Sequence, residues 1–96
     1  MKKLKPIRWN PLKNELLKQT RNLSFERIEE SLNKGWFVAD LEHPKYKDQR
    51  LLIVNLRGYA HVIPYRETET EIHWITVFPS RKYTKQFLNG NHEEKK

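Results

Sequence analysis

Ninety-six residues, 36% of them hydrophobic, with a net charge of +7, describe one small domain with a modest core. The lack of cysteine excludes disulfides and thiolate zinc sites and fits a reducing compartment. No apolar run approaches the roughly 18 residues of a membrane span. Met1-Lys2-Lys3-Leu4-Lys5 has no apolar stretch of the signal-peptide kind, so a cytoplasmic protein is expected.

Along the chain, Ile7-Arg8-Trp9 reads as a short strand, with Trp9 expected in the core. Asn10-Pro11 then marks a helix start, Asn as N-cap and Pro where its missing N–H costs nothing. Leu12, Leu16, Gln19 and Leu23, with Leu17 beside them, predict a helix from Pro11 to about Thr20. Leu23-Ser24-Phe25 opens a second helix, capped by Ser24 and striped by Phe25, Ile28 and Leu32. Asn33-Lys34-Gly35 ends it. Strands follow over Trp36 to Leu41, Arg50 to Leu56, Tyr59 to Tyr65 and Ile72 to Phe78, with tight turns at Arg57-Gly58 and Arg66 to Thr70. Ser80 opens a short last helix, and a disordered tail is expected from Asn91 to Lys96. Two helices, an antiparallel meander and a terminal helix predict one α+β domain over residues 1–90, helices packed on one face of the sheet.

Charge is distributed in blocks. Residues 1–22 carry seven Lys or Arg against Glu15, residues 43–66 are again basic, and residues 67–80 are acidic. Such a field suits a polyanion on the basic side. Ser80-Arg81-Lys82 adds cations to a helix start, where the unpaired N–H groups are already partly positive, which points to a phosphate held there. On the third strand Tyr59, His61, Ile63 and Tyr65 share a face, opposite Ala60 and Val62. The small residues suit the helix-packed side, so the His/Tyr face is expected to be open, rimmed by Arg50, Arg66, Arg81 and Lys82, and suited to RNA by charge and stacking.

His43, His61, His73 and His92 show no metal-ligand spacing, Gly35, Gly58 and Gly90 make no phosphate loop, and no nucleophile elbow is present. No metal or cofactor is therefore expected. Metal-free phosphodiester cleavage needs a base for the 2′-OH, cations for the phosphorane and an acid for the leaving oxygen. His61 and Tyr65 are the candidate proton-handling pair, and Arg50, Arg81 and Lys82 the candidate cations.

Trp9-Asn10-Pro11-Leu12-Lys13 and Leu23-Ser24-Phe25-Glu26, with Arg50 and Arg81-Lys82-x-Thr84, resemble the BrnT-type toxins in order and spacing over about residues 7–88. The resemblance implies a RelE-like fold and a type II toxin–antitoxin toxin that cuts RNA without metal, inhibits translation and is neutralised by a cognate antitoxin. Oligomers, of the chain alone or with the antitoxin, are further candidates. Lys13, Arg21, Arg66 and Lys85 complete the expected RNA-contacting set. Thr20-Arg21-Asn22 replaces the family's Lys-His-Gly, and Pro79-Ser80-Arg81 its Ser-Ala-Arg. Arg21 can still bind phosphate but cannot be a base at neutral pH. The alternatives are a non-catalytic RNA-binding domain and a protein-interaction module that meets an acidic helix.

Overall fold

The computed structural model describes residues 5–89, so the tail expected from Asn91 lies outside the described residues. Strand β1 (Ile7–Arg8) leads into helix α1 (Pro11–Arg21), which starts where Asn10 Oδ1 accepts from Leu12 N at 2.8 Å and Lys13 N at 3.4 Å. It stops at Asn22, a left-handed residue with φ of 56°, and Lys18 and Arg21 complement the dipole in its last turn. Helix α2 (Phe25–Asn33) is capped by Ser24, whose Oγ accepts from Arg27 N at 3.2 Å, and chain reversal follows at Gly35 with φ of 86°. The two helices are tied by Asn14. Its buried Oδ1 accepts from Phe25 N at 2.9 Å while its Nδ2 donates to Glu26 Oε1 at 2.8 Å.

The sheet contains β2 (Phe37–Glu42), β3 (Arg50–Leu56), β4 (Tyr59–Glu67), β5 (Ile72–Trp74) and β6 (Phe78–Pro79). Their order is β1-β5-β4-β3-β2, with β6 also on β4. The sheet is antiparallel except that β1 runs parallel to β5, with Ile7 opposite Ile72. Helix α3 (Arg81–Tyr83) continues as a wide π-type stretch, Thr84–Asn89. An α+β fold is therefore present.

Two sequence expectations need correction. The strand expected over Ile72 to Phe78 is two strands, β5 and β6. Pro64 lies opposite the gap: its carbonyl accepts from Ile75 N at 2.9 Å, but it has no N–H to return, so the ladder lapses there. The second correction concerns sides. Ile63 and Tyr65 pack with Leu52, Val54 and Leu56 against Leu17, Phe25 and Ile28 of the N-terminal helices. Ala60 and Val62 instead join Leu51 and Ile53 beneath Phe78, Tyr83 and Leu88. The small residues do admit a close neighbour, but it is the C-terminal segment. Ser80 N donates to the Ala60 carbonyl at 2.9 Å, and Ala60 N donates to Thr84 Oγ1 at 2.8 Å. Both faces of the sheet are covered, and the expected open His/Tyr face is the one that receives α1 and α2.

Trp9 belongs to the first core, stacked at 5.3 Å on Phe25 and 5.8 Å on Trp74. Those offset stacks fix the approach of α1 to β5 and thereby the position of Lys13.

Candidate nucleic-acid interface

Arg50, the first residue of β3, lies opposite Tyr65 on β4 and Glu42 on β2, all on the α1/α2 side. A bulge adds Asp40 to this group. Phe37 pairs with Val54 and Ala39 with Ile53, so Val38 is an extra residue; Val38 and Ala39 both pack toward the second core. Asp40 is thereby turned to the first. Arg50 Nε donates to Asp40 Oδ1 at 2.9 Å, Arg50 Nη2 donates to the Asp40 carbonyl at 3.2 Å, and the Tyr65 hydroxyl donates to Oδ2 at 2.8 Å. Burial, then the hydrogen bond to the Asp40 carboxylate, pushes the Tyr65 hydroxyl up to about 12, so at neutral pH it is a donor and not a base. The same carboxylate holds Arg50 still more firmly charged.

Beside this cluster, the loop before β3 and the end of β4 form a cleft of about 930 Å³ that brings Lys45, Lys47, Arg50 and Arg66 together, with the carboxylates Glu42, Asp48 and Glu67 on its wall. Arg66 Nε meets Asp48 Oδ2 at 3.1 Å and ties the loop to β4. His43 shapes that loop. Its Nδ1 accepts from Lys45 N at 3.0 Å and Tyr46 N at 3.1 Å, which assigns the ring proton to Nε2, and Tyr46 lies against the ring at 4.9 Å. Around the corner Lys13 and Arg66 line a groove of about 630 Å³ with Trp9, His73 and Trp74. Lys13, Arg50, Arg66 and Tyr65 therefore gather at one end of the sheet. Arg21, eight residues beyond Lys13 on α1, is displaced by about 12 Å at a helical rise of 1.5 Å per residue.

The remaining candidates do not join them. His61 is four residues from Tyr65 on the same strand, about 14 Å away at 3.4 Å per residue. One phosphodiester cannot bridge the two as a proton-handling pair. His61 Nδ1 donates to the Tyr59 carbonyl at 3.0 Å, which places a ring proton on Nδ1. Burial pushes its imidazole below the usual value, and the charge of Arg27 acts the same way. Arg81, Lys82 and Lys85 follow β6, which pairs with His61 and Val62, and their segment packs on the sheet face opposite Tyr65. Ser80 Oγ accepts from Tyr83 N at 3.1 Å, and Lys82 Nζ lies 5.2 Å from the Tyr83 ring centroid. Arg81, Lys82 and Lys85 are exposed on α3 and the π-type stretch that continues it, across the sheet from the Arg50 end.

Asp40, Lys45 and Lys47 are the residues that sequence reasoning missed. Two lysines flanking Tyr46 just before the strand-start Arg50 were a legible signal. Asp40 was not, because in an unbroken strand it would share the side of Val38. Among the described residues no three His, Asp or Glu side chains converge as a metal site, and no helix is long and apolar enough to cross a membrane.

The fold and site define a small α+β domain with a cation-lined cleft at one end of its sheet. Comparison with protein-family models, with curated proteins and with solved structures gave no match in any of the three.

Proposed function

We propose that the domain is an RNA-directed toxin, a metal-independent endoribonuclease that engages single-stranded RNA at the Arg50 end of the sheet. The observation that carries this reading is the Arg50–Asp40–Tyr65 cluster, whose Arg50 also lines the cleft that holds Lys45, Lys47 and Arg66. Phosphates sit among the cleft cations. Arg50 contributes a fixed fork of donors for the charge that develops on the phosphorane. The Asp40 carboxylate is the acceptor nearest Arg50, and it takes the 2′-OH proton as the oxygen attacks phosphorus; the P–O5′ bond breaks, the leaving 5′-oxygen takes a proton from solvent water, and a 2′,3′-cyclic phosphate remains. Tyr65, held protonated, orients that carboxylate. The likeness of the opening and closing motifs to BrnT-type toxins supports the same class, with a cognate antitoxin as partner and the cytoplasm as location.

A second reading, RNA binding without cleavage, is favoured by the separation of His61 from Tyr65 and by the cations of α3 lying on the other face. Incubation of purified protein with single-stranded RNA in EDTA separates the two. Cyclic-phosphate products from the wild type, lost in Asp40→Asn while RNA binding is retained, support cleavage. Salt-sensitive binding with intact RNA supports the second reading. Intact RNA, no binding and normal growth on expression would sink both.

A further inference from the structure

Aromatic and cationic side chains also gather at the opposite end of the sheet, and none of them belongs to the cluster around Arg50. Three tryptophans are present, and two of them, Trp9 and Trp74, stack into the first core. Trp36 does not. It is 42% exposed and walls a cleft of about 210 Å³ with Arg27, Lys34 and Arg57, Glu30 supplying the one carboxylate there. Lys34 Nζ lies 5.1 Å from the Trp36 centroid and 3.7 Å from Glu30 Oε2. Phe37, 54% exposed, and Tyr59, 38% exposed, flank this end.

Arg57 is an independent sign. It occupies the first place of the β3–β4 turn with φ of 57°, followed by Gly58 at 84°. That place favours Asn, Asp or Gly, and a long side chain there is strained. The turn is otherwise well made, Asn55 Oδ1 accepting from Gly58 N at 2.7 Å. Strain kept at an exposed cation beside an exposed tryptophan is a pattern found at binding sites.

We propose that this cleft is a second nucleotide subsite: one base stacks on Trp36, and its phosphates lie between Arg27, Lys34 and Arg57. The cleft is smaller than the roughly 300–1,000 Å³ of pockets that enclose drug-sized ligands, which suits one planar ring on an open platform. The combination of exposed aromatics and cations is the recurring surface for single strands. Leu56, which lines the subsite, lies six residues along β3 from Arg50, about 20 Å at strand rise, so one RNA strand can engage both ends and gain by the linkage. The proposal rests on the RNA reading above.

The probe is a 2′-O-methyl oligouridylate of about eight nucleotides, within the roughly 4–16-nucleotide sites of single-strand binders. It lacks the nucleophile and stays intact. Titrated into the wild type, it should quench tryptophan fluorescence. In Trp36→Leu the quenching should fall to what Trp9 and Trp74, which line the groove beside Lys13 and Arg66, contribute, and the affinity should fall about tenfold, the scale of one lost base stack. Arg57→Asn should weaken binding and flatten the salt dependence by about one unit, yet raise the melting temperature, because Asn tolerates the turn better. Opposite signs for binding and stability rule out general misfolding as the cause. Binding that Arg50→Ala weakens, but whose quenching and affinity are unchanged in Trp36→Leu, would overturn the subsite and leave the RNA reading standing. No binding to the wild type would overturn both. Quenching by a polyglutamate peptide but not by the oligomer would overturn the subsite in favour of an acidic protein partner.

Discussion

Replacing Asp40 by alanine should reveal how tightly the cleft cluster is coupled. The change removes the acceptor of the Tyr65 hydroxyl (2.8 Å) and of Arg50 Nε (2.9 Å). Tyr65 is only 7% exposed, so its hydroxyl is stranded, at a cost of about 1–3 kcal/mol. The Arg50 guanidinium keeps water and adds nothing measurable. Tyr65→Phe removes the hydroxyl itself and should cost about 1 kcal/mol. With the hydroxyl absent, the loss of Asp40 strands nothing, so the double variant should be no less stable than Asp40→Ala, a coupling of about 1 kcal/mol. Urea unfolding of the four proteins with unchanged m-values measures this. Strictly additive losses would show that Asp40 and Tyr65 act independently and would refute the coupling. The high-pH limb gives a second readout. A tyrosine raised from 10.0 to about 12 binds its proton more tightly when folded, so stability falls as pH rises through that window. Tyr65→Phe should lack that part of the fall.

Asn14→Ala should destabilise the domain by about 1–3 kcal/mol, because buried Phe25 N loses its acceptor. The hydrogen bond from Asn14 is the main reason the Glu26 carboxyl lies below its usual value of 4.5, so the carboxylate resonance of the variant should titrate at higher pH than in the wild type. His61, depressed by burial, should titrate below 6.5 by NMR. Its share of stability is present above pH 6.5 and is lost as pH falls toward the folded value. The Arg81→Ala/Lys82→Ala variant should keep its melting temperature, since both side chains are exposed, and should lower RNA affinity less than Arg50→Ala/Arg66→Ala does. Filter binding at several salt concentrations tests that ranking.

The helix starts at Asn10 and Ser24, the stop near Gly35 and the Arg57-Gly58 turn were legible because each is written within four or five residues. Sidedness was not. Ala60 and Val62 on one face, and Ile63 and Tyr65 on the other, are both apolar enough to be buried, and only the C-terminal segment closing on Ala60 decides which helices go where. The break at Pro64 and the parallel pairing of β1 with β5 likewise depend on partners distant in sequence. For the candidate site, Arg50 and Arg66 were readable as strand-end cations. Asp40 needed the Val38 bulge, which leaves no mark in local composition. His61 and Tyr65 looked like a pair because parity gives a shared face but says nothing of the Ile63 side chain between them.

Where RNA touches the protein is the central claim, and amide chemical-shift mapping with a non-cleavable single-stranded oligonucleotide tests it most directly. With a strand of about three nucleotides, too short to span both ends of the sheet, the expected result includes a connected set of shifts over Asp40, Lys45 to Arg50 and Tyr65 to Thr68, and that set is lost in Arg50→Ala/Arg66→Ala. Shifts confined to Ser80 to Lys85, or none at all, would contradict it.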